Sequence, residues 1–215
     1  MKMNTDTQCP LCNGRSHLFY KDKNRLFYKC DNCRGIFLDK AFLPDRETET
    51  LRYHKHNNNA DDLGYQKFVN PIVSAIIRDF SPQHKGVDFG SGSGSAVSKM
   101  LKDRNFQIEQ YDPLFRNSPE LLERKYDYIV CCEVIEHFHN PHKELALLKK
   151  LLLPEGKLYC MTAIYNEEIN FGKWYYKNDL THVFFYHKKT LEWIKKEFGF
   201  SHVNIDSNLI ILAVN

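Results

Sequence analysis

One stretch constrains the fold of this chain more than any other: Val87-Asp88-Phe89-Gly90-Ser91-Gly92-Ser93-Gly94-Ser95. An apolar strand runs into a turn with alternate glycines, and the turn opens a helix. That arrangement brings backbone N–H groups up to a ligand, and the helix N-terminus favours an anionic or carboxylate group beside it. Units of this kind belong to open α/β sheets, whose ligands sit outside the carboxyl ends of the strands. A dinucleotide site has G-x-G-x-x-G behind an apolar residue. Here Ser95 stands where the third glycine of that pattern would be, and Asp88 lies two places before the first, which disfavours a nicotinamide cofactor.

The 215 residues suffice for one α/β domain and a small appendage, and 42% hydrophobic residues can fill a core. Lys and Arg number 30 against 27 Asp and Glu, and the net +3 gives no broad basic field of the kind that marks nucleic-acid binders, although a local patch is compatible with it. No apolar run approaches the ~20 residues of a membrane span, and the polar N-terminus lacks a signal-peptide core. A cytoplasmic protein with no membrane partner is the expectation.

Four of the seven cysteines form two pairs, Cys9-Pro10-Leu11-Cys12 and Cys30-Asp31-Asn32-Cys33, with 17 residues between them. That spacing matches a four-cysteine zinc site, each pair making a knuckle that turns two thiolates toward one ion. Four thiolates leave no position for water, so the Zn²⁺ is structural and supplies folding energy to a segment too small for its own core. The stretches Leu18-Phe19-Tyr20 and Leu26-Phe27-Tyr28 predict a hairpin between the knuckles, and the ribbon as a whole is expected over residues 1–43. A redox pair would precede a helix in a βαβ unit, a context missing here. Contact with RNA or a protein partner, or a purely structural cap on the following domain, are both open roles for the ribbon. The other three cysteines lie in apolar, strand-like runs and read as core thiols.

Residues 44–61 read as a polar helix and a linker, with His54 and His56 as solvated linker residues. Asp62 has the chemistry of an N-cap for a helix whose apolar positions Leu63, Phe68, Ile72, Val73, Ile76, Ile77 and Phe80 recur at helical spacing; Pro71 predicts a kink or break within it. Core packing is the expected role of Phe68, while Tyr65 faces either the core or a ligand. After the glycine turn come a helix over 95–103 and a strand over 106–111 that ends in Asp112-Pro113. An acid at the end of a second strand is placed to accept two hydrogen bonds from a ribose cis-diol, the alternative being an Asp-Pro turn. Between 114 and 125 a third strand is expected to shrink to a stub. A strand over 126–132 then leads into Glu133-Val134-Ile135-Glu136-His137, followed by a helix over 142–153, a Pro154-Glu155-Gly156 turn and a strand over 157–162. Residues 163–179 form an insertion rich in aromatic and amide groups, suited to an acceptor pocket or a packed lid. A helix over 190–198 and two final strands close the chain.

The sequence Asp88-x-Gly90-x-Gly92-x-Gly94 resembles motif I of the class I S-adenosylmethionine (SAM)-dependent methyltransferases, and the E-V-x-E-H run with its leucine-rich helix ending at P-x-G resembles the fourth strand, helix and fifth strand of that fold. The resemblance covers the chain from about residue 62 onward and implies a Rossmann-like α/β sheet with helices on both faces over 62–215, joined to the small N-terminal zinc ribbon. It implies SAM as cofactor, with Asp88, Gly90, Gly92, Gly94, Asp112 and Glu133 around it. In ubiquinone-biosynthesis and small-RNA methyltransferases a similar E-x-x-E-H ligates a divalent metal, in the RNA enzymes with a later histidine. The resemblance therefore makes Glu133, Glu136, His137 and His182 a candidate divalent site; many family members carry the signature without metal. His137 and His182, with Glu133, are the candidate catalytic residues, since imidazole titrates near neutrality and can take a substrate proton. A small-molecule acceptor methylated on oxygen or carbon is the leading expectation. An RNA methyltransferase that grips its substrate through the ribbon, and a non-catalytic partner subunit, are the alternatives.

Overall fold

The computed structural model describes residues 6–22, 24–54 and 59–215. The N-terminal part is an antiparallel succession of β1 (Asp6–Gln8), β2 (Arg15–Lys21), β3 (Leu26–Cys30) and β4 (Ile36–Leu38), with the expected hairpin formed by β2 and β3 and a bulge between Leu18 and Tyr20. Cys30 ends β3 and Cys33 lies in the turn before β4, so the second knuckle is the β3–β4 connection.

Helix α1 (Arg46–His54) follows, and α2 (Leu63–Asp79) starts at Asp62, whose carboxylate accepts a hydrogen bond from Tyr65 N. His56 lies outside the described residues. α2 runs through Pro71 without a break. The missing N–H forfeits one helical bond, but Val69, Ile72, Val73, Ala75 and Ile76 are buried on one face, and that packing outweighs the loss. Phe68 is 43% exposed and stacks on Tyr65, so it does not pack in the core as its spacing suggested.

The main sheet is built from β5 (Lys85–Phe89), β6 (Gln107–Tyr111), β7 (Tyr126–Cys132) and β8 (Leu152–Met161), with α3 (Ala96–Lys102) after β5 and α4 (Pro141–Leu151) after β7. No third strand forms; residues Pro119–Glu123 make a turn of 3₁₀ helix instead. β8 begins directly at Leu152, because Glu155 adopts φ 61° and the expected turn becomes an irregularity within the strand. A two-residue strand β9 (Phe184–Phe185), α5 (Lys188–Glu197), β10 (His202–Asp206) and β11 (Leu209–Ala213) complete the chain. The six-stranded sheet has the order β10-β11-β8-β7-β5-β6, parallel among β5 to β8 and antiparallel at β11 and β10.

β9 is not in that sheet. It pairs antiparallel with β4, so the second sheet, β1-β2-β3-β4-β9, takes its last strand from the far end of the chain. Helices α2 and α3 cover one face of the main sheet through a cluster that includes Val73, Ile76, Leu101, Ile108 and Tyr128. The other face packs α4 and α5 together with the zinc knuckles in one continuous cluster. No helix among the described residues is long and apolar enough to cross a membrane.

Candidate active site

The parallel strands point their carboxyl ends at one edge, and the residues singled out by motif collect there. β5 ends at Phe89, and the turn enters φ 78° at Gly90 and φ 61° at Gly92, values that L side chains avoid. A Cβ on Gly90 would meet the Val134 side chain at 2.6 Å, so this glycine is demanded by close packing as well as by conformation. Ser95 then caps α3, its hydroxyl accepting from Ser98 N at 3.1 Å. The strand, turn and helix are assembled as the glycine pattern required, and the glycine-lined approach to the α3 N-terminus fits a cofactor carrying a carboxylate.

Asp88 is 2% exposed, and its carboxylate accepts a 2.7 Å bond from Ser98 Oγ. Burial raises its pKa, opposed by the serine hydrogen bonds. Asp88 thus ties β5 to α3 beneath the turn. Asp112 spans the same turn from the next strand: Oδ2 accepts from Gly92 N at 2.9 Å, while Oδ1 accepts from Leu114 N at 2.8 Å and Phe115 N at 3.0 Å. Asp112 closes the Asp-Pro turn, and its carboxylate has acceptor capacity beyond these three bonds.

Beside the glycine turn, β7 ends at Cys132 and Glu133 takes φ 53°. A glutamate in the left-handed region is a strained backbone, of the kind that persists where surrounding structure demands it. Its N–H donates to Met161 O at 2.9 Å, and the turn Ile135–His137 carries the next two groups inward. Glu136 is 0% exposed, and its Oε2 has no hydrogen-bond partner. Oε1 accepts a short bond from the Tyr176 hydroxyl, which also lies 3.0 Å from Glu133 Oε2 and 3.0 Å from Thr162 Oγ1. A phenol has one hydrogen, so a proton on one of the two carboxyls would complete the second contact. Burial raises the pKa of both carboxyls, and Glu133 raises that of Glu136 further, which favours that proton.

The two histidines flank Glu136. His137 Nδ1 bonds the Thr181 carbonyl at 2.8 Å and His182 Nδ1 bonds the Tyr176 carbonyl at 2.7 Å. Each carbonyl can only accept, so each Nδ1 carries a hydrogen, and in the neutral imidazole the lone pair is on Nε2. His182 Nε2 lies 4.0 Å from Glu136 Oε1, and one donor atom each from Glu136, His137 and His182 fit within 4.8 Å of one another. Two nitrogens, one carboxylate oxygen and one orphaned buried oxygen suit a divalent ion. Glu133 is not part of this close set; it reaches Glu136 through Tyr176. His187, the other histidine of its segment, caps α5 and pairs with Glu167 at 3.1 Å.

Several residues here carried no signal in the sequence. Tyr53 of α1 meets the His137 ring edge-on, with centroids 5.3 Å apart. α1 is anchored around it by Arg52 to Asp179 (2.6 Å) and by Glu49 to His139 (3.0 Å), while His54 touches Phe115 next to Asp112. Only the polar, helical character of the segment was readable; its docking was not. Tyr65 of α2 packs against the α2–α3 cluster, and burial first, then the nearby Cys132, Asp88 and Glu133, raise its pKa.

A groove of about 640 Å³ lies between the chain leaving β8 and the β10–β11 turn, with Asn166, Glu168, Lys188 and Asn208 among its walls and none of Glu133, Glu136, His137 and His182 lining it. In the ribbon, Cys9 Sγ lies 3.7 Å from Cys33 Sγ and Cys12 Sγ 3.3 Å from Cys30 Sγ, and the four thiols form one cluster. Those spacings approach the edge of about 3.8 Å that four Zn–S bonds of ~2.3 Å define. The thiols fit a structural zinc.

Residues 8–44 match a transcription factor zinc-finger family, a zinc ribbon. No curated protein is significantly similar to the chain. Among solved structures, 1,6-didemethyltoxoflavin-N1-methyltransferase of Burkholderia thailandensis, with its substrate and S-adenosylhomocysteine bound, superposes with a TM-score of 0.54 at 13% identity, covering 91% of this chain and 97% of that one. A SAM-dependent methyltransferase of Archaeoglobus fulgidus gives 0.51 at 18%, covering 69% and 94%. Human N-acetylserotonin methyltransferase in complex with SAM gives 0.54 at 12%, covering 80% of this chain and 60% of the human one. At these identities the likeness is one of fold. A methyltransferase domain family matches residues 56–205, most of the chain, and with the glycine turn and sheet order just described this protein belongs to it as a SAM-dependent methyltransferase.

Proposed function

We propose that the protein transfers the methyl group of SAM to an oxygen or carbon of a small polar acceptor, bound against Glu136, His137 and His182. The observation that carries this reading is the pair of histidines whose Nδ1 atoms are held by backbone carbonyls beside a buried, half-satisfied glutamate. That tautomer presents basic Nε2 atoms, the form that accepts a proton from an acceptor hydroxyl or carbon acid. The structural relatives named for small substrates support the choice of a small acceptor.

The cofactor half of the reading assigns Gly90, Gly92 and Gly94 to the close approach of SAM, Asp112 to the ribose hydroxyls, and Asp88 to holding the turn. Glu133, bent into the site by its strained backbone, faces the methionine end. When bound, SAM supplies an electrophilic methyl on a sulfonium; the chain's work is to align the acceptor, exclude water and take the proton. A divalent ion held by Glu136, His137 and His182 would also orient a substrate hydroxyl and lower its pKa.

Calorimetric titration of S-adenosylhomocysteine into the wild type and into Asp112→Ala tests the cofactor half. Micromolar binding, weakened about tenfold or more by the substitution, is expected from the loss of charge-assisted hydrogen bonds. Absence of binding to the wild type would overturn the reading. On the acceptor side, screening polar small molecules with and without chelator and added Mg²⁺ or Mn²⁺ separates the two roles of the histidines. Activity lost in chelator and restored by metal assigns them as ligands; full activity in chelator assigns them as bases.

A further inference from the structure

The ribbon is wired into the catalytic edge through Val183. Leu38 N of β4 donates to Val183 O at 2.8 Å, and Val183 N donates to Glu136 O at 2.9 Å. One residue therefore bridges the zinc ribbon and the turn bearing Glu136 and His137, and the residue before it is His182. On the zinc side, Thr190 Oγ1 donates to the carbonyl of Cys33 at 2.8 Å, and Gly35 lies so near Phe184 that an added Cβ would meet its ring at 2.5 Å. The hairpin's aromatic face is equally committed: Phe19, Tyr20 and Phe27 each meet Phe171 of the insertion at centroid distances of 5.2 to 5.5 Å. That insertion also carries Tyr176, whose carbonyl orients His182.

We propose that the zinc ribbon functions as an internal wall of the acceptor site, with β4 as the template that places His182 and Tyr176 against Glu136. The inference rests on the assignment of these residues to the acceptor side. It gives the ribbon a role different from gripping a nucleic acid, because the hairpin rings Phe19, Tyr20 and Phe27 pack on Phe171 inside the molecule instead of being offered to bases. It also divides the molecule's dependence on zinc: the face that holds α2 and α3 is packed by a cluster with no ribbon residue, whereas Tyr176, whose carbonyl holds His182, and Val183, the next residue, lie in one cluster with Phe27, Ile36 and Leu38 of the ribbon.

The test uses the whole protein and two variants that leave the cysteines intact, Gly35→Ala and Phe184→Ala, on opposite sides of the β4–β9 junction. Zinc content, S-adenosylhomocysteine affinity and the imidazole ¹⁵N resonances of His137 and His182, assigned with His137→Gln and His182→Gln, are measured in each. The expected result is one zinc per chain and cofactor affinity within about threefold of wild type, with His182 losing its single-tautomer signature through a shift or exchange broadening. Wild-type histidine resonances in both variants would overturn the proposal, as would a loss of cofactor affinity as large as the change at His182. The resonances report independently of methyl transfer, so a wild type that binds no S-adenosylhomocysteine overturns the functional reading while the wall is still tested.

Discussion

Tyr175 and Tyr176 are neighbours of identical chemistry, yet Tyr175 is 73% exposed and Tyr176 is buried between two carboxyl groups. The difference is decided by the 3₁₀ turn over Tyr175–Asn178, which aims one ring outward and the next toward Thr162 and Glu136. Removing only the hydroxyl isolates its contribution. Tyr176→Phe keeps the ring but removes the phenol's hydrogen bond to Glu136, and the loss of a buried hydrogen bond to an acid predicts a fall of about 1–3 kcal/mol in urea unfolding. An unchanged midpoint would mean that the phenol does not bridge the carboxyls in solution.

At the level of elements, α2 illustrates how packing overrules local preference. Pro71 is exposed and inside the helix, so Pro71→Ala restores an N–H for the Lys67 carbonyl without disturbing the buried face. The gain in helix bonding exceeds the proline's restraint of the unfolded chain, and a net stabilisation of about 1 kcal/mol is expected by denaturant titration. The C-terminus of the same helix is tied to β8 by Asp79, which accepts from Tyr159 at 2.7 Å and pairs with Lys157 at 3.0 Å and Arg78 at 2.8 Å. Burial opposes the charge of Asp79, but the bonds from Arg78, Tyr159 and Lys157 outweigh it and lower the pKa to about 2. A folded-state pKa below the unfolded value means stability that is present above pH ~4 and is lost as the pH falls toward 2. Asp79→Asn should cost roughly 1–2 kcal/mol at pH 7 and flatten the acid limb of the stability curve between those values. A wild-type acid limb in the variant would contradict the assignment.

For the molecule as a whole, the consequence of a shared second sheet is that no cut after the ribbon leaves both parts complete. β9 would lose β4, its pairing partner among the described residues, and Phe27, Ile36 and Leu38 would lose Phe171, Tyr176 and Phe185. Zinc measured on purified protein is expected at about one ion per chain, and Cys30→Ser with Cys33→Ser should abolish it. The same double variant should melt at a lower temperature, since metal binding is folding free energy for such a segment. Zinc retained in the variant would place the ion elsewhere.

The sequence by itself determined the elements whose cause is local. Alternate glycines after an apolar strand forced the cofactor turn, paired cysteines at a fixed spacing forced the ribbon, Asp62 capped its helix, and Glu136 and His137 were close because they are adjacent. Period and spacing act within a few residues, so they can be read from the chain. Tertiary structure alone decided that Glu133 stands outside the close set of Glu136, His137 and His182, that Tyr176 bridges the glutamates, that α1 lies against His137 through Tyr53, and that β9 leaves the main sheet for the ribbon. Each depends on groups far apart in sequence meeting in a buried space, where hydrogen-bond satisfaction and shape, rather than local propensity, select the partner.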